Sequence, residues 1–322
     1  MKLLSLIIPV YNIKEYLLAC IQSIALQDGA WECILVNDGS NDGSEVVCDK
    51  ITAEDSRFRV IHQENKGVNA ARKRGLEEAC GEFVWFVDGD DLLHPNALKV
   101  LEKYLNTRDD IYFFSELQGE SPAFDTLPEN IEIINYGIEE KELLPVLNFH
   151  TVVFRRTFIM HEEFPPFLIG EDILFVMKQL ARAKNVVQLK HIHLYFYLIR
   201  EGSAMTAPNE RKLQSIINCN FEIVRFLCSD IGKCLARSHV RRFVKQLFWR
   251  NAAEIQQIRK NSRKDILKVW KNNLLTLPKD ILSPHELLMR KFHYVVPVGL
   301  CCMTQALLYR LHAWRLSKKN YS

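Results

Sequence analysis

The segment EFVWFVDGDDLL, from Glu82 to Leu93, contains an apolar run followed by a cluster of carboxylates. Its apolar part, FVWFV at residues 83–87, is rich in β-branched and aromatic side chains, which predicts a strand buried on both faces. Asp88, Asp90 and Asp91 follow within four residues. Carboxylates this close repel one another, so their clustering at the end of a strand is unfavourable without a cation.

Two interpretations of the three aspartates are open. Hard oxygen ligands suit Mg²⁺ or Mn²⁺, and such sites combine one or two carboxylates with waters and a substrate diphosphate. Gly89 lets the backbone turn so that the aspartates on either side of it point at one place. The alternative is a polar turn in which Asp91 lies near the N-terminus of a helix that starts at Pro95.

Strands and helices alternate along the first part of the chain. Apolar strands are predicted at residues 3–10, 32–36 and 58–61, and helices at residues 15–27 and 69–80. Such alternation predicts an α/β fold with a mostly parallel sheet and helices on both of its faces. Ligands bind these sheets beyond the carboxyl ends of the strands, so Tyr11, Asp38 and Asp88 are expected to converge.

Charge is distributed unevenly over the 322 residues. Residues 1–204 contain 20 Lys and Arg against 32 Asp and Glu, whereas residues 205–322 contain 22 against 7. The length suits two domains, and the charge asymmetry suggests that the basic part works at an anionic surface.

The cysteines and the apolar segments indicate a cytoplasmic protein. Nine cysteines form no CxxC pair, and an odd number on apolar stretches favours reduced thiols. The N-terminal run MKLLSLIIPVYN lacks a small-residue cleavage site, so we interpret it as the first strand and not as a signal peptide. The apolar segment at residues 294–308 is short and contains Pro297 and Gln305, which argues against a transmembrane helix.

Several motifs resemble, in order and spacing, the inverting glycosyltransferases of family 2. They are SLIIPVYN, LVNDGSNDGS, ENKGVNAARKRGL, FVDGDD, IGEDILF and YFYLIREGSAMT, which together extend from residue 3 to about residue 206. The resemblance implies a GT-A fold, a nucleotide-sugar donor such as a UDP-sugar, and Mn²⁺ or Mg²⁺. It predicts a catalytic domain at residues 1–206 and a basic helical region at residues 207–322.

The same resemblance implies the roles of individual residues. The nucleotide-sugar-binding set is Pro9, Tyr11, Asp38, Lys66, Gly67, Arg72, Asp88, Gly89 and Arg200. Within the D-x-D motif, Asp88 and Asp90 correspond to the two aspartates that hold the metal. Asp172 matches the general base, and Glu171 lies beside it in the acceptor pocket.

Some of these residues also have a structural interpretation. Asp38 and Asp42 suit turns and helix caps, and for Asp42 we prefer that interpretation. Arg200 suits a diphosphate through its bidentate geometry, but a salt bridge with Glu201 is an equal alternative.

Glu171 and Asp172 are predicted to lie in the first turn of a helix, where the helix dipole alone favours acidic residues. Their distance from the D-x-D motif is that of the family, which favours the catalytic interpretation. The acidic segment from Glu116 to Glu142 is predicted to be a loop that shapes the acceptor site.

The basic C-terminal region is predicted to be helical from about Pro208. One interpretation is a helical bundle with basic side chains on a solvated face. The other is peripheral docking on anionic lipid at the inner face of the cell membrane, with Leu307, Leu311 and Trp314 at the interface. Such docking would serve a carbohydrate or lipid-linked acceptor.

The predicted function is transfer of a sugar, with inversion, to an acceptor hydroxyl in cell-surface polysaccharide or glycoconjugate synthesis. A sugar nucleotidyltransferase would carry a Gly-rich basic loop where this chain has residues 11–13, YNI. A non-catalytic nucleotide- or lipid-binding scaffold is the alternative from another class, and the presence of Asp88, Asp90 and Asp172 together argues against it. The basic region contains no recognisable nucleic-acid module, so no nucleic-acid partner is expected.

Overall fold

The computed structural model describes residues 3–137, 139–200, 210–235, 237–247, 251, 260–277, 279 and 281–282. The chain divides into two compact units, one formed by Met1–Pro166 with Phe175–Ser203 and the other by Phe167–Leu174 with Ala204–Ser322. The division at residue 206 stays a prediction of the sequence. Leu307, Leu311 and Trp314 lie outside the described residues.

The first unit begins with a parallel half-sheet. Its strands are β1 (Leu4–Val10), β2 (Trp31–Asp38), β3 (Phe58–Gln63) and β4 (Phe83–Phe86). The helices that connect them are α1 (Lys14–Ala25), α2 (Ser44–Glu54) and α3 (Val68–Glu78). β1 lies between β2 and β4, and β2 also pairs with β3, all in parallel. This is the alternation that the sequence predicts.

Strands of mixed direction continue the same sheet. They are β5 (Leu92–Leu93), β6 (Ile111–Gly119), β7 (Glu132–Tyr136), β8 (Val152–Arg155) and β9 (Val186–Leu198). The helices of this part are α4 (Ala97–Tyr104), α5 (Arg156–Ile159) and α6 (Glu171–Arg182). β8 is antiparallel to β4 and β6, whereas β6 and β9 are parallel. The order across the sheet is β3-β2-β1-β4-β8-β6-β9-β5, and β7 also pairs with β9.

Two local predictions differ from the structure. The acidic segment from Glu116 to Glu142 is not all loop, because its first residues extend β6 and its middle forms β7. Pairing with β9 supplies the hydrogen bonds of both strands, and this long-range term outweighs the polar local sequence. Helix α4 begins at Ala97 and not at Pro95, because residues 95 and 96 form a turn and Asn96, with a non-helical backbone, is the N-cap.

Burial of β4 on both faces anchors the sheet. Its four residues are at most 1% exposed. On one face the ring of Trp85 packs edge-on against Phe114, with ring centres 5.3 Å apart. On the other face Phe86 packs against Phe149 and Phe164, at 4.9 and 5.7 Å. The continuous apolar run at the start of the D-x-D motif is therefore a central strand, as predicted.

Helices make up most of the described part of the second unit. They are α7 (Glu210–Leu227), α8 (Arg237–Lys245) and α9 (Lys260–Thr276). In α8, Phe243 and Val244 are buried, whereas Arg241, Arg242 and Lys245 are exposed. Among the helices of the described ranges, none has an apolar stretch long enough to span a membrane.

Candidate functional site

The carboxyl ends of β2, β1 and β4 form one edge of the sheet. Val10 pairs with Asn37, and Ile7 pairs with Phe86, so the residues that follow these strands lie side by side. The structure therefore brings the loops that carry Tyr11, Asp38 and Asp88 to the same edge.

Asp38 holds the loop that follows β3. Its Oδ1 accepts hydrogen bonds from the N–H of Lys66 (2.9 Å) and from Nε2 of Gln63 (2.7 Å). Its Oδ2 accepts one from the N–H of Gly67 (2.8 Å). Gly67 has a φ of +90°, which residues with a Cβ rarely adopt, so a glycine is required for this turn. The buried carboxylate of Asp38 thus positions Lys66 and Gly67.

Tyr11 presents an exposed ring at the end of β1. Its side chain is 50% exposed, while Pro9 two residues earlier is still part of the strand. The next residue, Asn12, accepts a hydrogen bond from the N–H of Asn41 at 2.9 Å, which joins the loops after β1 and β2. An exposed aromatic ring in a braced loop is a surface on which a planar ligand can stack.

Asp42 has the structural role preferred from the sequence. Its Oδ2 accepts a hydrogen bond from the N–H of Lys14 (3.0 Å), and its Oδ1 accepts from the N–H (2.9 Å) and Oγ (2.6 Å) of Ser44. Although desolvation raises the pKa of Asp42, these hydrogen bonds bring it below its ordinary value. Asp42 therefore ties the first turn of α1 to the start of α2.

Asp88 lies between two basic side chains. Its Oδ1 accepts a hydrogen bond from Nη2 of Arg72 at 3.0 Å, and its Oδ2 lies 4.0 Å from Nδ1 of His150. Arg72 is buried, and its guanidinium lies 4.8 Å from the ring centre of Phe149. These neighbours fix the orientation of the Asp88 carboxylate.

Asp90 pairs with Arg200. Nε and Nη2 of Arg200 both donate to Oδ2 of Asp90, at 2.8 and 2.5 Å. The guanidinium also lies over the ring of Tyr16, 4.5 Å from its centre. Burial lowers the pKa of Arg200, but the hydrogen bond with Asp90 more than offsets this and leaves it above its ordinary value. Glu201, the alternative partner, lies outside the described residues.

Asp91 points into the protein and supports the turn. Its side chain accepts hydrogen bonds from the hydroxyl of Tyr195 (2.5 Å) and from the N–H of Leu198 (2.8 Å). Its own N–H donates to the carbonyl oxygen of Asp88 at 3.1 Å. Burial and then the charges of Asp88 and Asp90 raise the pKa of Asp91 to about 8. Asp91 is therefore not the cap of α4.

Gly89 lies close to two isoleucine side chains, which would have to shift to admit a Cβ. A Cβ at this position would lie 2.6 Å from Cδ1 of Ile13 and 3.1 Å from Cγ2 of Ile8. The φ of Gly89 is not positive, so the predicted freedom of the backbone to turn does not explain a glycine here. The close approach of these two side chains explains it instead.

The donor set fits a divalent cation. Burial and then the charge of Asp88 raise the pKa of Asp90, whereas the hydrogen bond and charge of Arg200 lower it. In the described ranges no three His, Cys, Asp or Glu side chains are close enough to hold a metal ion by themselves. Mg²⁺ and Mn²⁺ sites often use one or two carboxylates and complete the coordination with waters and a diphosphate. Asp88 and Asp90 match that pattern.

Glu116, His150 and Tyr195 also meet at this edge, although only Tyr195, the first residue of YFYLIREGSAMT, lies in one of the motifs, and Glu116 begins the acidic segment predicted to shape the acceptor site. The imidazole of His150 stacks on the ring of Tyr195, with centres 4.7 Å apart and planes at 19°. Its Nε2 forms a hydrogen bond with the carboxylate of Glu116. Burial lowers the pKa of His150, but the hydrogen bond with Glu116 more than offsets this, so the pKa lies above its ordinary value. Pairing of β8, β6 and β9 brings these residues to the edge beside Asp88.

Glu171 and Asp172 lie at the start of α6 and belong to the second unit. The helix begins at Glu171, so both are in its first turn, as predicted. The preceding Gly170 has a φ of +83°, and a Cβ there would lie 3.3 Å from Sγ of Cys219 in α7. Their catalytic role stays a prediction.

Comparisons with known proteins point in one direction. The profile described as Glycosyl transferase family 2 matches residues 5–161. Glycosyltransferase GlyA of Streptococcus pneumoniae serotype 4 is 28% identical over 242 residues, which are 70% of this chain but only 35% of GlyA. An uncharacterized glycosyltransferase of Haemophilus influenzae is 30% identical over 221 residues, which are 66% of this chain and 84% of that protein.

The fold is similar to that of TarS from S. aureus. The crystal structure of TarS residues 1–349 in complex with UDP-GlcNAc matches with a TM-score of 0.72 and 20% sequence identity. The match covers 97% of this chain and 92% of the TarS chain.

Proposed function

Because the chain belongs to glycosyltransferase family 2 and has the GT-A fold, we propose that it transfers a sugar from a nucleotide-diphosphate-sugar to an acceptor hydroxyl. The observation that carries this proposal is the placement of Asp38, Asp88 and Asp90 at one sheet edge, with Arg72 and Arg200 beside the last two. A UDP-sugar is the favoured donor because TarS, which has the same fold, binds UDP-GlcNAc.

The nucleotide occupies the ends of β1 and β2 in this proposal. The exposed ring of Tyr11, with Pro9 beside it, suits the base, and the carboxylate of Asp38 suits the base or the ribose. Lys66 and Gly67 flank the nucleotide because Asp38 holds their loop at the same edge.

The diphosphate lies at the D-x-D turn. Asp88 and Asp90 would hold Mn²⁺ or Mg²⁺, which when bound offsets the negative charge that develops on the leaving diphosphate. Arg200 is always charged and presents several donors in a planar fork, which suits a diphosphate. Arg72 is buried against Phe149 and keeps Asp88 in place.

The chemistry is a single displacement at the anomeric carbon. The acceptor oxygen forms its bond to that carbon while the bond to the diphosphate oxygen breaks, and the configuration inverts. Asp172 removes the hydroxyl proton as the attack proceeds, and Glu171 contributes to the acceptor pocket. The position of both at the start of a helix in an IGEDILF motif supports this assignment.

We expect Asp172→Asn to reduce transfer by about 10²–10⁴-fold, the usual contribution of a general base. The dissociation constant for the donor should stay nearly the same, because the proposed role of Asp172 is toward the acceptor. Turnover measured beside donor titrations by calorimetry tests this. Wild-type turnover in the variant would overturn the assignment.

The function itself is tested with a panel of UDP-, GDP- and CMP-sugars. Purified protein with Mn²⁺ should show a raised melting temperature with one class of nucleotide sugar and should hydrolyse or transfer that sugar. EDTA should abolish the activity. Binding without turnover on any acceptor would favour the non-catalytic scaffold, and activity unaffected by EDTA would remove the metal from the proposal.

The second unit supports a role at the membrane surface in polysaccharide or glycoconjugate synthesis. The exposed Arg241, Arg242 and Lys245 of α8 lie opposite its buried apolar face, and such a basic face attracts anionic lipid. Peripheral docking at the inner face of the cell membrane would give access to a lipid-linked acceptor. Failure to co-sediment with anionic vesicles at low salt would remove this part of the proposal.

A further inference from the structure

We propose that Glu116, positioned by His150, forms a polar wall of the subsite for the transferred sugar and that its carboxylate selects that sugar by hydrogen bonds to hydroxyl or acylamino groups. The inference rests on the proposed function, because it takes the nucleotide to lie at the ends of β1 and β2.

The order of the strands gives the direction of the donor. From the base side, the edge passes through β2, β1, β4, β8 and β6, and neighbouring strands are about 4.8 Å apart. A donor with its base at β1 and β2 and its diphosphate at β4 must continue toward β8 and β6, because the opposite direction leads back to the base. The transferred sugar therefore reaches the residues at that end of β8 and β6.

Glu116 and His150 occupy this place. β8 is antiparallel to β4, so His150, which lies just before β8, stands beside Asp88. β6 is antiparallel to β8, so its later residues return to the same edge, and Glu116 pairs there with Tyr195 of β9. The two side chains are thus neighbours of the D-x-D turn on the side away from the nucleotide.

The pair is held in place, and the carboxylate of Glu116 is partly accessible, whereas the imidazole of His150 is buried. Nε1 of Trp85 donates to the carbonyl oxygen of His150 at 2.9 Å, and the imidazole stacks on Tyr195. Its Nε2 is bonded to the carboxylate of Glu116, whose side chain is 26% exposed. Polar groups held in this way by packing and by a second layer of hydrogen bonds are suited to recognise a ligand.

The carboxylate of Glu116 offers acceptors to the hydroxyl or acylamino N–H groups of a sugar, and the hydrogen bond with His150 holds that carboxylate in place. A site that hydrogen-bonds a substrate group rejects an analogue without that group, because its own polar atoms are then left unpaired. Changes at Glu116 and His150 would therefore affect which sugar binds. The affinity for the free nucleotide would stay unchanged.

The test compares nucleotides with nucleotide sugars in the full chain with Mn²⁺. Calorimetry gives dissociation constants for UDP, UDP-GlcNAc, UDP-glucose, UDP-galactose, GDP and GDP-mannose in wild type, Glu116→Gln and His150→Phe. The first variant keeps the shape of the side chain, and the second keeps a ring on Tyr195. Glu120→Gln, an exposed glutamate just past β6, is the matched control.

We expect each variant to bind the free nucleotide within about twofold of wild type and to change its preference among the sugars about tenfold, the effect of one lost hydrogen bond of this kind. The control should leave both quantities unchanged. Melting temperatures show whether each variant is folded. If His150→Phe does not fold, the result for Glu116→Gln alone decides whether the proposed subsite is correct.

Two results would overturn the subsite. One is an equal loss of affinity for nucleotide and nucleotide sugar, which a purely structural role predicts. The other is an unchanged preference among the sugars, whether or not the KM for the acceptor changes. If wild type binds neither these ligands nor any member of the UDP-, GDP- and CMP-sugar panel, the proposed function itself fails, which separates its failure from that of the subsite.

Discussion

The two halves of the sheet in the first unit contribute to one edge in different ways. The parallel half, β3-β2-β1-β4, presents short motifs at the ends of single strands, such as Asp38 at the end of β2 and Asp88 just after β4. The mixed half, β8-β6-β9, presents Glu116, His150 and Tyr195, which no motif connects. Both halves meet at the D-x-D turn.

The difference concerns how each half holds its charges. On the parallel side, backbone N–H groups and guanidinium groups hold the carboxylates, as the bonds of Asp38 and Asp90 show. On the mixed side, aromatic packing and buried hydrogen bonds hold them, as around Asp91 and His150. We therefore expect changes in the parallel half to affect ligand binding and chemistry first, and changes in the mixed half to affect stability and selectivity.

Within the two halves of the sheet, the largest expected effect is at Asp90. Asp90→Asn should lower kcat/KM by on the order of 10²–10³-fold, because it removes a charge proposed to hold the metal beside the developing negative charge. Mn²⁺ titrations of turnover should shift to higher concentration. Asp42→Asn is the control, since Asp42 only joins α1 to α2. Similar losses of kcat/KM in Asp90→Asn and Asp42→Asn would show that Asp90 has no special role.

Arg72 belongs to the parallel half but is buried, so a change at this residue is expected to affect stability. Arg72→Met should reduce the free energy of unfolding by about 2 kcal/mol, since it leaves Asp88 without its guanidinium, a loss moderated by the partial exposure of Asp88. Urea unfolding measures this. Arg74→Met, on the same helix but exposed, should change stability by less than about 0.5 kcal/mol.

Tyr195 tests the mixed half directly. Tyr195→Phe should reduce the free energy of unfolding by about 1.5 kcal/mol, because the hydroxyl donates to the buried Asp91 and accepts from the N–H of Asp88. Tyr11→Phe, at an exposed ring of the parallel half, is the matched control in the same denaturation series. Equal stabilities of the two variants would show that the hydroxyl of Tyr195 contributes little.

The last prediction is a pH dependence that arises from Asp91. Burial raises the pKa of Asp91 to about 8 in the folded protein, so the folded state keeps a proton that the unfolded chain has lost. In EDTA, the free energy of unfolding should fall as pH rises between about 5 and 8, by at most about 1.4 kcal/mol per pH unit. Asp91→Asn should show a smaller fall in the same titration. An identical slope in the variant would contradict this origin.

Local sequence predicts much of the parallel half. Apolar runs of the length of a strand predict the strands. Residues that directly follow parallel strands must lie at the edge of the sheet where those strands end. Asp42 could be assigned to the turn because side-chain oxygens two residues before a helix commonly bond to its first N–H groups.

The mixed half is harder to predict because its strands are short, polar or remote in sequence. Glu116 lies in an acidic segment that suggests a loop, yet it is part of β6 because β9, some 80 residues later, supplies its partners. Gly89 shows a similar limit, since Ile8 and Ile13 crowd it only in the folded chain.

By itself, the sequence determined the alternation of strands and helices, the buried strand β4 and the carboxylates that follow it, since these depend on composition and spacing along the chain. Only the tertiary structure decided that Asp91 points inward, that Arg200 pairs with Asp90, and that Glu116 and His150 stand beside Asp88. The physical reason is that these contacts depend on long-range strand pairing and desolvation, which no local pattern encodes.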